Sequence, residues 1–217
     1  MRNILKEYGI DPAPQRDHTT WATFLRSQAQ AILAADFFET KTLNGATLHV
    51  LAVIEHATRR VRILGATAHP SAAWVTQLAR NMAMDLKDAG SRAKFLIRDR
   101  DVRYPASFDT VLQAEDVEVV QTGVQMPRMN AIMERWVRSC RTEFLDRTLV
   151  WNQPHLLHAL REYEGFYNEH RPHRTLASAA PLHPLPEPIT APDQLTHLHV
   201  HRRDRLGGLL HEYRHAA

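Results

Sequence analysis

The sequence predicts an α/β domain whose five-stranded mixed sheet combines three antiparallel meander strands with two parallel strands, flanked by helices. Two observations carry this expectation. Three strand-like segments separated by short turns come first, and helical segments then alternate with short buried strands. A chain of 217 residues with 44% hydrophobic content is large enough to build one such core.

The strands are recognised by apolar runs and by the turns between them. Residues 31–38 form an almost continuous apolar run, typical of a strand that is buried on both faces. The turns near residues 44–45 and 57–59 are short enough for antiparallel hairpins. The predicted strands are residues 31–38, 47–54, 60–65, 95–97 and 117–120.

The helices are recognised by apolar residues at three- and four-residue spacing. Trp74, Leu78, Met82 and Leu86 show this spacing clearly, and Gly90 ends their segment. The predicted helices are residues 71–86, 107–113, a segment beginning near 130, and 153–168.

The predicted core is residues 28–180, and the segments on either side differ from it in composition. Residues 1–27 are expected to be a leader, in which Pro12 and Pro14 break any early helix. Residues 181–217 are a Pro-rich linker and a basic, His-rich tail that is free, docked on its own core, or packed on another subunit. His197, His199 and His201 could share a strand face as a metal site; a flexible basic tail is the simpler interpretation.

Composition excludes several classes of protein. The chain shows no secretory signal and no apolar run long enough to span a bilayer, so a cytoplasmic protein without a membrane partner is expected. Its single cysteine, Cys140, excludes a disulfide framework and a Cys-rich zinc module, and is expected to be a buried thiol. A net charge of +3 permits a polyanionic partner but leaves DNA binding open.

Asp36 is the first candidate for chemistry. It interrupts the apolar strand 31–38, on the same face as Ile32 and Ala34. A carboxylate in such a strand costs free energy unless it is paired or binds a cation. The alternative is that the strand ends early and that Asp36 is a solvated strand end.

Asp99 is the second candidate, because it directly follows the strand 95–97. Ligands of such sheets gather beyond the carboxyl ends of parallel strands. Asp101 is a rival two positions further on, and residues 98–101 taken alone are an ordinary polar turn.

Glu134 is the third candidate, in the first turns of a helix that Asn130 is predicted to cap. Its spacing from Arg138 and Arg141 places all three on one stripe of that helix. The stripe is either part of a site or a solvated ion-pair face.

Taken together, the three acids indicate a metal site. Mg²⁺ requires oxygen ligands, and two-metal phosphoryl transfer requires several converging carboxylates. One acid within a strand, one at a neighbouring strand end and one on a covering helix is a workable geometry.

The order Asp36, Asp99, Glu134 resembles the DDE triad of retroviral-type integrases and bacterial insertion-sequence transposases. The interval from Asp99 to Glu134 is 35 positions, within the narrow range of that family. The resemblance extends over about residues 28–182 and includes the segments 35–37, 95–101, 127–136 and 167–173 and the basic residue Arg141.

This resemblance implies a ribonuclease H-like fold and a polynucleotidyl transferase that cleaves DNA and transfers strands for a mobile element. It implies Asp36, Asp99 and Glu134 as catalytic and metal-binding residues, with Mg²⁺ or Mn²⁺ as cofactor and two ions when DNA is bound. The implied partners are transposon ends, target DNA and further copies of the chain, as a homodimer or larger assembly associated with the nucleoid. The residues expected to contact DNA are Arg135, Arg138, Arg141 and Asn130.

Two departures from the family pattern leave alternatives open. Many relatives carry Gly at the position of Asp101, which leaves the second ligand ambiguous. Full-length relatives have a helix-turn-helix region before the core, of which residues 1–14 resemble only the final helix. The alternative functions are therefore a truncated, non-catalytic remnant that binds DNA or an intact transposase, and a structure-guided nuclease.

Overall fold

The sheet has the number and the pairing of strands that the sequence predicts. The computed structural model describes Leu25 and residues 27–123, 130–185 and 199–216, so most of the predicted leader and most of the Pro-rich linker lie outside the described residues. Five strands form one sheet in the order β3-β2-β1-β4-β5, in which β1 pairs antiparallel with β2 and parallel with β4. The strands are β1 Ile32–Lys41, β2 Thr47–Glu55, β3 Val61–Thr67, β4 Phe95–Arg98 and β5 Glu118–Gln121.

Four α-helices occupy the predicted segments. They are α1 Ala72–Asp88, α2 Ala106–Gln113, α3 Ala131–Glu143 and α4 Gln153–Glu169. Side chains cap two of them, because Ser71 accepts a hydrogen bond from the Trp74 amide and Asn152 accepts one from the His155 amide. Within the described part of the chain, none of the helices has the length and apolarity that crossing a membrane requires.

Helices cover both faces of the sheet, and this explains the uninterrupted apolar sequence of β1. Ile32 and Ala34 pack in the cluster that includes α3 and α4, whereas Leu33 and Ala35 pack in the cluster that includes α1 and α2. A strand in this position needs apolar side chains in both directions. Cys140 is buried in the first cluster, as expected.

The C-terminal tail forms a hairpin that docks on the core. Its strands β6 His199–Arg205 and β7 Leu210–Ala216 pair antiparallel in a separate two-stranded sheet. Leu210 joins the apolar cluster of α3 and α4, and Arg205 Nη1 lies 3.0 Å from Glu162 Oε2 on α4. Glu212 is fully buried beside Arg205 and His170. Of the alternatives for the tail, the structure therefore shows docking on its own core.

The histidine face expected in this tail lies largely outside the described residues. Among the described side chains, no group of three His, Cys, Asp or Glu residues is arranged to hold a metal ion.

Leu210 tests the docking of the hairpin. Replacing it by alanine should lower the free energy of unfolding by about 2–3 kcal/mol, because the buried side chain leaves a cavity against α4. Val200→Ala is the matched control, since Val200 lies on the same hairpin and is 55% exposed. Urea unfolding of both variants measures the difference, and equal stabilities would contradict the docked arrangement.

Candidate active site

Asp36 lies in the middle of β1, opposite Ala52 of β2. The strand continues to Lys41, so the alternative that Asp36 is a solvated strand end is wrong. The side chain is half-buried, and by strand alternation it shares a face with Ile32, Ala34 and Phe38, which pack in the cluster that contains α3.

Asp99 follows β4 directly, on the strand beside Asp36. In the parallel pairing of β1 and β4, Ala34 lies opposite Ile97. Extended by two residues, the same register places Asp99 opposite Asp36. Adjacent strands are about 4.8 Å apart, so the two carboxylates start from neighbouring backbone positions. The polar turn at residues 98–101 therefore lies at the carboxyl end of β4, beside Asp36.

Glu134 is brought to this place by the way α3 lies along β1. The Asn130 side chain donates a hydrogen bond to the carbonyl of Ala35 (3.3 Å), next to Asp36. Near the other end of the helix, Arg141 Nη2 donates to the carbonyl of Glu39 (3.0 Å). These two contacts fix α3 on the strand that carries Asp36, with Glu134 exposed in its first turn.

The role predicted for Asn130 needs correction. Asn130 occupies the N-cap position of α3, but its side chain makes no capping hydrogen bond. It is 4% exposed and directed to β1, so in this conformation it does not present its amide to DNA. Arg141 is half-buried and donates a hydrogen bond to β1, whereas Arg135 and Arg138 are exposed.

The electrostatics show that the predicted acids act on one another. The pKa of Asp36 is raised to about 7, mainly by burial and also by the negative charges of Asp99, Glu134 and Asp101. A hydrogen bond from the Phe37 backbone N–H acts in the opposite direction and lowers this pKa. Burial also raises the pKa of Asp99, where the charge of Asp101 contributes. The structure thus brings Asp99 and Glu134 within electrostatic reach of Asp36.

Asp101 differs from Asp99 because it is neutralised by a cation. Arg103 Nε donates to both of its carboxylate oxygens at 2.9 Å, Nη2 is also in contact, and the Arg103 amide donates to Oδ1. The hydrogen bond from the Arg103 side chain is the main reason why the pKa of Asp101 lies below its ordinary value. This pairing favours Asp99 as the second ligand.

The backbone of Asp99 is held by a buried ion pair. Arg98 is 4% exposed, and its Nε and Nη2 donate to Asp109 of α2 at 2.9 and 2.6 Å. Its Nη1 donates to the carbonyl of Asp99 at 2.8 Å. Arg98 therefore links the end of β4 to α2 and fixes the point where Asp99 leaves the strand.

Tyr104 is a site residue that the sequence did not reveal. Its ring packs edge-on against Phe37 and Phe108, and its hydroxyl is buried without a hydrogen-bond partner among the described residues. Burial raises its pKa, and the nearby charges of Asp36 and Asp99 raise it further. No periodicity marks this residue, because its approach to Asp36 depends on the fold of the turn after β4.

The chemistry of these residues fits a divalent cation. Their oxygens are the ligands that Mg²⁺ and Mn²⁺ prefer, and a cation would favour the charged form of Asp36, whose pKa is raised by burial first and by the neighbouring acids second. Since no three side chains in the described part of the chain already surround a common point, binding would require rotation of side chains such as the exposed Glu134.

Comparisons with known proteins agree with this fold. Residues 115–181 match the family model of the integrase core domain. This segment contains Glu134 but not Asp36 or Asp99. A chain of the simian T-cell lymphotropic virus intasome, solved with the PP2A regulatory subunit B56 gamma, superposes with a TM-score of 0.52 at 14% identity, covering 87% of this chain and 67% of that one. No curated protein matches significantly.

Two further solved structures are of the HTLV-2 integrase catalytic core domain in complex with magnesium. The dimeric form has a TM-score of 0.45 at 9% identity and covers 67% of this chain and 90% of that one. The trimeric form has a TM-score of 0.41 at 10% identity, with 64% and 86% covered.

The mixed sheet with helices on both faces is the ribonuclease H-like fold of integrase cores. Residues 115–181 also match the integrase core domain in sequence, so this part of the chain resembles an integrase core in both sequence and fold.

Asp36→Asn tests whether burial and the neighbouring acids make the charged form of Asp36 unfavourable in the folded protein. Because the pKa of Asp36 is near 7 when folded and about 3.8 in its ordinary state, the wild type loses stability as pH rises from about 4 to about 7. The variant should therefore be more stable than the wild type above pH 7, by on the order of 2 kcal/mol, and equally stable near pH 4.

Urea unfolding in metal-free buffer at both pH values measures this difference. Glu55→Gln, in β2, controls for the removal of a carboxylate elsewhere in the sheet. A variant that is no more stable than the wild type at high pH would argue against the convergence.

Proposed function

We propose that this integrase-type core is a metal-dependent polynucleotidyl transferase that cleaves DNA at the ends of a mobile element and joins those ends to target DNA. The observation that carries the proposal is the half-buried Asp36, whose pKa is raised in part by Asp99 and Glu134. Burying like charges together is unfavourable for stability, and it is what a site for a divalent cation requires.

In the proposed reaction, Asp36 and Asp99 hold the metal from adjacent strands and Glu134 completes the site from α3. When bound, two ions would activate the attacking oxygen and offset the charge on the leaving oxygen. A water first attacks a phosphodiester at the element's end, forming one P–O bond as another breaks and releasing a 3′-hydroxyl. That hydroxyl then attacks a target phosphodiester in the same manner, without a covalent protein intermediate.

The remaining residues of the proposed site position these groups. Asn130 and Arg141 hold α3 on β1, and Arg98 fixes the backbone of Asp99. Arg138, exposed one turn after Glu134, would contact a phosphate without reading sequence.

The proposal extends to partners. DNA ends and target DNA are the expected substrates, bound by two or more copies of the chain, which agrees with the similarity to an intasome chain. We propose a cytoplasmic protein that associates with the nucleoid through DNA.

A non-catalytic remnant that binds DNA or an intact transposase is the second candidate. The observation that favours it is that the described acidic side chains are not already arranged around a common metal position.

Substitutions in the proposed triad separate these functions. Asp36→Asn, Asp99→Asn and Glu134→Gln should each lower Mg²⁺- or Mn²⁺-dependent DNA cleavage by at least about 100-fold, because each removes a charged ligand. Gel analysis of cleavage products measures the loss, and circular dichroism confirms that each variant folds.

Asp101→Asn is the matched control, because Asp101 is paired with Arg103. It should keep more activity than Asp99→Asn. The reverse order would show that Asp99 is the wrong ligand, and a wild type without metal-dependent cleavage would favour the remnant.

DNA affinity should depend on phosphate contacts. Binding should weaken steeply with salt, because Lys and Arg contacts release counterions from DNA. Arg138→Ala should weaken binding to unrelated sequences about equally and reduce the salt slope by about one contact.

Fluorescence anisotropy at several salt concentrations measures both effects, with Arg80→Ala on α1 as a charge-matched control. Arg141 is less suitable, since its loss would also release α3 from Glu39. Salt-insensitive binding, or strong preference for one DNA end, contradicts this expectation.

A further inference from the structure

A strongly basic cavity of about 270 Å³ lies beside α3, apart from the carboxylates. It is formed by the turn after β2, one side of α3, the end of α4 and the segment that follows α4. Among the described residues of its wall, the charged ones are four arginines and no acid: Arg59, Arg135, Arg171 and Arg174.

Several residues of this wall carry nitrogens without a partner. Arg59 Nη1, Trp136 Nε1 and His173 Nε2 are buried and make no hydrogen bond within the described residues. Trp136 is 1% exposed and His173 is 8% exposed, so water does not easily satisfy them. Arg59 Nη1 and Trp136 Nε1 are donors, and buried donors without a partner cost free energy, so their presence in one cavity wall indicates a ligand that accepts hydrogen bonds.

Charge repulsion in the cavity also favours an anion. Burial lowers the pKa of Arg59, and the positive charge of Arg135 lowers it further, although Tyr167 acts in the opposite direction. Of the four arginines, Arg171 is compensated, since its Nε and Nη2 lie 2.6–3.1 Å from the carboxylate of Glu143. Among the described residues, Arg59, Arg135 and Arg174 have no acidic partner, so their three positive charges remain for a ligand.

The backbone of Arg59 supports a functional interpretation of this turn. Its φ of 65° lies in the left-handed region, which costs a residue other than Gly or Asn of the order of 1 kcal/mol. The turn that holds this conformation places the Arg59 side chain in the cavity wall.

The cavity adjoins the candidate active site on the same face of the sheet. Ile54 in its wall is two residues along β2 from Ala52, the partner of Asp36, which is roughly 7 Å. On α3, Arg135 directly follows Glu134. A polyanion that reaches the carboxylates could therefore also place a group in this cavity.

We propose that this cavity is a phosphate-binding pocket distinct from the carboxylate site. Arginine forks match the oxygens of phosphate, and three uncompensated charges suit phosphate better than a single carboxylate. The phosphate belongs either to a nucleic acid backbone or to free inorganic phosphate. Binding of phosphate in this pocket does not depend on the proposed catalysis. The assignment of that phosphate to a nucleic acid backbone rests on the proposed function.

Inorganic phosphate is the first probe, titrated into the full chain without metal by calorimetry, against chloride at equal ionic strength. Arg135→Ala and Arg174→Ala should each weaken binding roughly tenfold, and both residues are exposed, so the fold should tolerate the changes. Arg80→Ala on α1 should bind as the wild type does. Equal binding by Arg135→Ala, Arg174→Ala and Arg80→Ala, or no binding beyond chloride, overturns the proposal.

Duplexes in which one backbone phosphate at a time is replaced by an uncharged methylphosphonate distinguish the source. If a backbone phosphate occupies the pocket, methylphosphonate at one position of the duplex should weaken binding of that duplex to the wild-type protein. The same substitution should not weaken its binding to Arg174→Ala. If no position does so while inorganic phosphate still binds, the pocket takes free phosphate. Because the measurement needs neither metal nor cleavage, its outcome is separate from that of the proposed catalysis.

Discussion

The attachment of α3 to β1 is the contact on which the candidate site depends. Asp36 and Asp99 are placed by the pairing of adjacent strands, but Glu134 comes from a different layer. The Asn130 amide on the Ala35 carbonyl and the Arg141 guanidinium on the Glu39 carbonyl hold the helix at both ends of its contact with the strand. Glu134 lies four residues, about one helical turn, after Asn130, so this buried hydrogen bond holds the start of α3 beside Asp36.

This arrangement places like charges together inside a well-packed sheet. Asp36 is destabilised by burial and by neighbouring acids, whereas Asp101 has Arg103 as a partner and Asp109 has Arg98. Arg103 and Arg98 thus pair with Asp101 and Asp109, whereas Asp36 and Asp99 have no ion-pair partner among the described residues. Proteins retain such unfavourable charges where function requires them.

The sequence predicts the sheet well because the sheet depends on local pattern, and the same pattern is the basis on which Asp36 is predicted as a site residue. The apolar run of β1 reflects helices on both faces, and Asp36 stands out because it interrupts that run. Long-range contacts carry no such signal. The amide of Asn130 turns to β1 instead of capping α3, and the tail hairpin depends on Leu210 and the buried Glu212 meeting the core. The distinction between Asp99 and Asp101 likewise depends on where Arg103 points.

Binding of Mn²⁺ observed by NMR tests the central claim most directly, because the paramagnetic ion broadens the signals of nearby nuclei whether or not the protein is active. The account predicts that amide signals of residues 35–37, 98–101 and 133–135 broaden together at substoichiometric Mn²⁺, and that Asp36→Asn abolishes the effect. Broadening confined to histidines of the C-terminal hairpin, such as His201 and His211, or broadening of only one of the three segments, would contradict a shared site for Asp36, Asp99 and Glu134.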